Sequence, residues 1–252
     1  MLFSMPRAAF AAHRYDAVLF DLDGVLTSTT ALHEACWREA LDGVLAEWSA
    51  RTGTPQPPFD VGRDYVALLD GKPRYDGVRD FLRARGVEAP EGSPDSPADE
   101  WSVHGIGNRK QALVERALAR DGVDAFPGSV AWVKRLRRTG VLTAVVTSSA
   151  NGDEVLRAAG ISDLFELTVD GHEIQRRGLR GKPAPDGFLA ASGRLGVPPA
   201  RAVVVEDALA GVAAGRAGAF SLVIGVARNV APAELRAAGA DVVVADLGEL
   251  AA

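Results

Sequence analysis

The sequence predicts an α/β fold: a doubly wound parallel sheet with a small helical unit inserted into it. Three observations predict it. Short runs rich in Val, Leu and Ile recur along the chain with little apolar–polar alternation, as strands buried on both faces require. Helical stretches lie between them, closed by glycines at Gly140, Gly160, Gly196 and Gly218. Strand and helix in alternation imply parallel strands joined by right-handed crossovers. The regularity breaks once, from about residue 31 to 117, where helical patterns continue without a good buried strand.

The first strand is "AVLF" (17–20), and it runs into "DLDGVLT". The inserted region opens with "ALHEACWREALDGVLAEWSARTG", where Leu32, Cys36, Leu41, Val44, Leu45 and Trp48 form one broad apolar stripe of a helix. A Pro-rich loop, "TPQPPFD", follows, then helices in "RDYVALLDG" and "VRDFLRARG". "VEAPEGSPDSPADEW" (87–101) is rich in Pro, Asp and Ser and reads as an exposed loop. "NRKQALVERALARDG" closes the insert as a helix. Beyond it, strands are expected at 142–147, 164–169, 202–207, 221–226 and 241–246, with helices at 129–140, 153–160, 185–196 and 210–218. The expected division is an α/β core from 14–29 and 118–252, a helical insert from 30–117 and a loosely ordered leader from 1–13.

Bulk properties narrow the function. The 252 residues suffice for one large core with a smaller companion, and 47% hydrophobic with 24% charged residues is ordinary for a globular protein. A net charge of −5 argues against nucleic acid or an anionic membrane as partner, while leaving room for a small anion bound in a local field. No apolar run reaches the roughly 18 residues of a membrane helix. The single cysteine, Cys36, permits no internal disulfide and fits a reducing compartment. The expectation is a cytoplasmic protein, monomeric or weakly dimeric, acting on a small molecule.

The strand ends carry the chemistry. In open α/β sheets, sites form outside the carboxyl ends of strands. The first strand ends in Asp21 and Asp23, the second in Thr147, Ser148 and Ser149, and the fourth in Glu206 and Asp207. Four carboxylates gathered there would repel one another, and a hard divalent cation with oxygen ligands, usually Mg²⁺, resolves the conflict. The hydroxyls can donate to phosphate oxygens. Lys182 is one of four lysines in the chain and sits in "GLRGKPAPD" between prolines that stiffen its segment. Its ammonium can balance the carboxylates and the charge of a phosphoryl group.

"FDLDGVLT", "VVTSS", "GKPAPD" and "VVVEDALAGVAAGRAG", in this order over nearly the whole chain, resemble the four motifs of the haloacid dehalogenase superfamily of phosphotransferases. The resemblance is strongest to its β-phosphoglucomutase group, with the helical insert matching a small cap on a Rossmann-like core. It implies that Asp21 is the nucleophile and that Asp23 is the general acid/base, its backbone carbonyl also a metal ligand. It implies that Asp21, Glu206 and Asp207 complete the protein ligands to Mg²⁺, and that Thr147 and Lys182 hold the transferring phosphoryl group. An Asp at position 23 implies phosphate esters as substrates, because the leaving oxygen needs a proton donor. Ser148, Ser149 and Asn151 are implied substrate contacts.

In the cap, His33 and Trp37 lie four residues apart on one helix face, and the resemblance places His33 near the acid/base. Arg74 in "GKPRYDGV" matches a residue that grips a substrate's second phosphate, and Lys110 in "NRKQ" a lysine that closes on the site. Three positions depart from the pattern. Ser28 stands where an Asp is common, Asp70 stands where a cap lysine is expected, with Lys72 near enough to substitute, and Ala150 replaces a phosphate-gripping lysine. Three outcomes stay open: a sugar-phosphate mutase, a phosphatase sharing every core residue, and a binding protein on an inactive scaffold.

Overall fold

The computed structural model describes residues 15–251, so the expected leader lies outside the described residues. Six strands form one parallel sheet: β1 (Ala17–Phe20), β2 (Leu142–Val146), β3 (Leu167–Val169), β4 (Ala202–Glu206), β5 (Leu222–Val226) and β6 (Val242–Val244). Their order across the sheet is β3-β2-β1-β4-β5-β6. The first strand therefore lies at the centre, flanked by β2 and β4, and the direction of winding changes on either side of it. Every residue of β1 and β4 is buried, which is why their sequences do not alternate.

Helices cover both faces. Those of the core are α4 (Pro127–Arg138), α5 (Gly152–Ala158), α6 (Gly171–Arg176), α7 (Asp186–Leu195), α8 (Leu209–Ala217) and α9 (Pro232–Ala238). On one face Trp132 of α4 is 1% exposed and meets Phe20 edge-on at 5.5 Å between ring centroids. Such a pair adds about 0.5–1.5 kcal/mol beyond its buried area. On the other face Phe188 and Ala191 of α7 pack on Leu19, Ala144 and Val204.

Between β1 and β2 the chain leaves the sheet. It forms α1 (Thr30–Thr52), a wide-wound π-helical segment (Val61–Leu69), α2 (Arg74–Arg85) and α3 (Val103–Asp121). These pack on a separate apolar cluster that includes Trp37, Leu41, Phe59, Tyr65, Phe81 and Ile106. The chain enters and leaves this helical unit side by side: Ser28 N donates to Asp124 O at 2.9 Å, and Phe126 N to Leu26 O at 2.9 Å. Gln56, Arg85 and Asp64 tie the Pro-rich loop down, with Arg85 donating to Pro57 O and Pro58 O.

Two short helices have no clear sequence signal, α6 and α9. α3 begins at Val103, before the expected start, because Ser102 caps it by accepting from Gly105 N at 3.0 Å. The expected strand at 164–169 is shorter than its apolar run, since Ser162–Leu164 winds into a 3₁₀ turn first.

Candidate active site

All four motif segments converge at the carboxyl ends of the central strands. The ladder continues one residue past β1, where Asp21 N donates to Val205 O at 2.9 Å. This fixes the Asp21 side chain at the mouth of the sheet. The chain then turns sharply at Gly24, whose φ is +81°. A Cβ there would stand 1.9 Å from Asp207 Oδ2, so the turn needs glycine both for its backbone and for its closeness to Asp207. Gly211 on α8 does the same for Glu206, whose Oε1 would lie 1.7 Å from an added Cβ.

Asp21, Glu206 and Asp207 are buried, with carboxylate oxygens within 4.8 Å of one another. Lys182 Nζ lies 2.5 Å from Asp21 Oδ1 and 2.5 Å from Glu206 Oε1, and donates to Val146 O at 3.2 Å. Glu206 Oε2 accepts from the backbone N–H groups of Asp207 and Ala208 at 3.0 and 3.2 Å. One ammonium does not neutralise three carboxylates. Burial drives the Asp21 carboxyl well above the usual range, with Lys182 opposing and Glu206 and Asp23 adding to the rise. Burial also drives Asp207 up, reinforced by Asp70, Glu206 and Asp21. Burial alone would push the Lys182 ammonium down, but Asp21 and Glu206 outweigh it and hold its pKa above the ordinary value. Hard oxygen donors carrying surplus negative charge fit a divalent cation, which would restore the ionised forms.

Asp23 meets the opposite field. Thr29 Oγ1 donates to its Oδ1, and His33 Nε2 lies 3.2 Å from that oxygen. Lys110 Nζ is 2.8 Å from His33 Nδ1. An ammonium only donates, so Nδ1 accepts and the imidazole proton sits on Nε2, toward Asp23. Burial would raise the Asp23 carboxyl, but His33, Thr29 and Lys110 together hold it down at about 2. Lys110, buried beneath the face of Trp37 at 5.0 Å, is itself lowered to about 8, chiefly by burial and in part by Arg74, against the pull of Asp23.

Thr147 is 1% exposed, and Ser149 N donates to its Oγ1 at 3.0 Å. Ser148 Oγ donates across to Gly71 O on the helical unit at 2.7 Å, and Ser149 Oγ accepts from Asn151 N at 3.2 Å. Arg74 opens α2. Its Nη1 donates to Gln111 Oε1 at 2.6 Å and its Nη2 to Tyr75 Oη at 3.0 Å, while its Nε is buried without a partner. Asp76, a possible carboxylate partner, pairs instead with Arg79 at 2.5 Å. These groups enclose a cavity of about 310 Å³ bounded by Asp21, Asp23 and Asp207 on one side and by His33, Arg74 and Lys110 on the other. Lys72 borders the same cavity and pairs with Asp80 of α2 at 2.8 Å.

A model of haloacid dehalogenase-like hydrolases matches residues 15–218. The chain belongs to this family. A β-phosphoglucomutase from Mycobacterium bovis is 48% identical over 237 residues, spanning 93% of this chain and 90% of that protein. A β-phosphoglucomutase from Bacillus subtilis is 30% identical over 220 residues, 87% of each chain. The crystal structure of a hydrolase from Pseudomonas syringae superposes with a TM-score of 0.74 at 25% identity, covering 93% of this chain and 95% of the other. The family member described here is thus an enzyme of the phosphatase and phosphomutase type, and its acidic cluster implies a divalent metal. Among the described residues no helix is long and apolar enough to cross a membrane.

The cavity also contains groups that the sequence did not single out. Tyr65, Tyr75, Gln111 and His172 line it. Tyr65 sits in the π-helical segment, where the usual 3.6-residue period no longer tells which face turns inward. Asp70 borders the cavity too. Burial, helped by Glu206 and opposed by Tyr65, raises its carboxyl to about 7.

Proposed function

We propose that this enzyme transfers a phosphoryl group of a phosphorylated sugar through an aspartyl-phosphate on Asp21, with Mg²⁺ as its metal, in the manner of a β-phosphoglucomutase. The observation that carries it is the placement of Asp21 and Asp23, two residues apart past the end of β1: Asp21 is buried among Lys182, Glu206 and Asp207, while Asp23 faces His33 and Thr29. Paired carboxyls separated in this way divide the roles of nucleophile and proton carrier.

An Asp21 oxygen attacks phosphorus, and the bond from phosphorus to the leaving oxygen breaks. Asp23 gives that oxygen its proton. In the free site Asp23 is ionised, the form that takes a proton; a phosphoryl dianion docked beside it raises its affinity for one. In the second half, Asp23 removes a proton from the attacking hydroxyl or water, which takes the phosphoryl group and frees Asp21. Lys182 and Thr147 hold the phosphoryl oxygens. A cation held by Asp21, Glu206 and Asp207, with the Asp23 carbonyl, would offset the charge on those oxygens. Arg74 receives the substrate's distal phosphate, for which its unpartnered Nε and planar fork are suited.

The second reading is a phosphatase, in which water finishes the reaction. Ala150 favours it, because a distal grip without a lysine holds a bisphosphate intermediate less firmly. β-Glucose 1-phosphate with a catalytic amount of the 1,6-bisphosphate separates the two. A mutase yields glucose 6-phosphate with little phosphate released; a phosphatase yields phosphate in proportion to substrate consumed. Failure to turn over any sugar phosphate in a metabolite screen would overturn both.

A further inference from the structure

The distal end of the cavity depends on a residue that touches neither the nucleophile nor the acid/base. Gln111 lies on α3, and its amide is held at both ends. Oε1 accepts from Arg74 Nη1 at 2.6 Å. Nε2 donates to Asn151 Oδ1 at 2.6 Å, and to Glu115 Oε1 at 2.9 Å. The guanidinium is a pure donor, so the amide orientation is forced: oxygen to Arg74, nitrogen to Asn151. Asn151 is 8% exposed and belongs to the loop after β2, on the core side. Gln111 therefore joins the helical unit to the core and fixes the arginine at the same time. Both ends of the relay keep a buried donor without an acceptor, Arg74 Nε and Asn151 Nδ2, so the network is complete only when an acceptor arrives.

The preceding residue extends the consequence. Lys110, next to Gln111 on α3, reaches His33 at 2.8 Å, and His33 reaches Asp23 at 3.2 Å. One turn of one helix thus carries the contact to the distal grip and the contact to the acid/base.

We infer that Gln111 is a positioning residue that sets Arg74 for the substrate's distal phosphate and joins that grip to the core through Asn151. This rests on the reading that Arg74 receives that phosphate. With the gripping lysine absent at position 150, a neutral amide relay takes over the task of keeping Arg74 in place, and its loss should act at the distal grip, chiefly through Arg74.

The test is a double-mutant comparison of Arg74→Ala, Gln111→Ala, Gln111→Glu and the double Ala variant. KM and kcat are measured on β-glucose 1-phosphate and on p-nitrophenyl phosphate, which has no distal group. Gln111→Ala should lose about tenfold in kcat/KM on the sugar phosphate, mostly through KM, and less than about threefold on the aryl phosphate. In the Arg74→Ala background the same change should add little. Gln111→Glu should be worse than Gln111→Ala on the sugar phosphate, because the carboxylate captures the arginine and repels the phosphate. A residue that merely packs would give the reverse order, since Glu preserves the shape that Ala removes. That reversal, additive losses in the double variant, or equal losses on both substrates would overturn the inference. If Arg74→Ala itself spares the sugar phosphate, the failure lies with the distal-phosphate reading instead. If the wild type is silent on β-glucose 1-phosphate, the sugar phosphate it does turn over takes that place and the comparison is unchanged.

Discussion

Asp21 shares its buried space with Glu206, Asp207 and a single ammonium, while Asp23 looks toward a histidine backed by a lysine. Asp21→Asn keeps the shape and the hydrogen-bonding surface but removes the nucleophilic oxygen. Turnover should fall by at least about a thousandfold, while the melting temperature stays level or rises because one charge fewer is buried. A variant with near wild-type turnover would disprove the role. Lys110 supplies a pH dependence. Its pKa in the fold is about 8, against 10.5 ordinarily, so it is charged at neutral pH and loses its charge as pH rises through about 8. Turnover of a sugar phosphate should decline there, and Lys110→Arg should move the decline to higher pH; an unchanged limb in that variant would assign it to another group. The sign for stability is opposite. Keeping Lys110 charged inside the fold is unfavourable below pH 8, and that burden is relieved between 8 and 10.5. The chemistry of these strand-end residues was legible in sequence because an apolar run that stops at a carboxylate locates that carboxylate. That Lys110 backs His33 and that Gln111 holds Arg74 was not, because both come from a helix more than thirty residues further along the chain.

The secondary elements follow their sequence signals most closely where burial is complete. β1 and β4 begin where their apolar runs begin, whereas β3 loses its first residues to a 3₁₀ turn that the same apolar letters also permit. The π-helical segment is the clearest departure. Its sequence reads as an ordinary amphipathic helix, yet Asp64 points inward and is fully buried. Asp64 lies 2.5 Å from Arg85 Nη2 and 3.2 Å from Arg63, and accepts from Asp60 N at 2.8 Å. Burial would raise its carboxyl, but these donors hold it at about 2. The lowered pKa means that the pair stabilises the fold fully above about pH 4 and that this is lost as pH falls toward 2. Removing the carboxylate leaves the Arg85 side chain with only the carbonyls of Pro57 and Pro58, so Asp64→Ala should destabilise by roughly 2–3 kcal/mol. It should also flatten the acid sensitivity in that window. Urea unfolding followed by circular dichroism at pH 7 and pH 3 checks both. A change much below 1 kcal/mol at pH 7 would show that the ion pair is dispensable to the helical unit.

The helical unit rests on the core through Cys36, Val114 and Leu118, and the chain crosses between the two parts at the ribbon formed by Leu26–Ser28 with Asp124–Phe126. We expect the helical unit to rock on this joint, closing over the site to exclude water and opening to exchange ligand, as lids commonly do. In this structure the two parts touch beside the cavity. Ser148 donates to Gly71 O, an added Cβ on Gly71 would stand 2.8 Å from Ala208 Cβ, and one on Gly181 would stand 1.8 Å from Pro73 Cγ. Gly181 is the place to test the motion. Its φ lies outside the left-handed region, so a side chain is tolerated by its own backbone. What it would strike is a proline ring of the opposing part, and opening the joint relieves the clash. Gly181→Val should therefore act as a wedge. Turnover of sugar phosphates should fall by about tenfold or more, with Gly181→Ala intermediate, because the site can no longer seal. Thermal unfolding should shift by only a few degrees, and small-angle scattering should show a larger radius of gyration that substrate no longer reduces. If Gly181→Val instead keeps full turnover and the compact radius, closure does not depend on the approach of Pro73 to Gly181. If it unfolds the protein, the two parts form one rigid body, and the idea of a rocking lid fails.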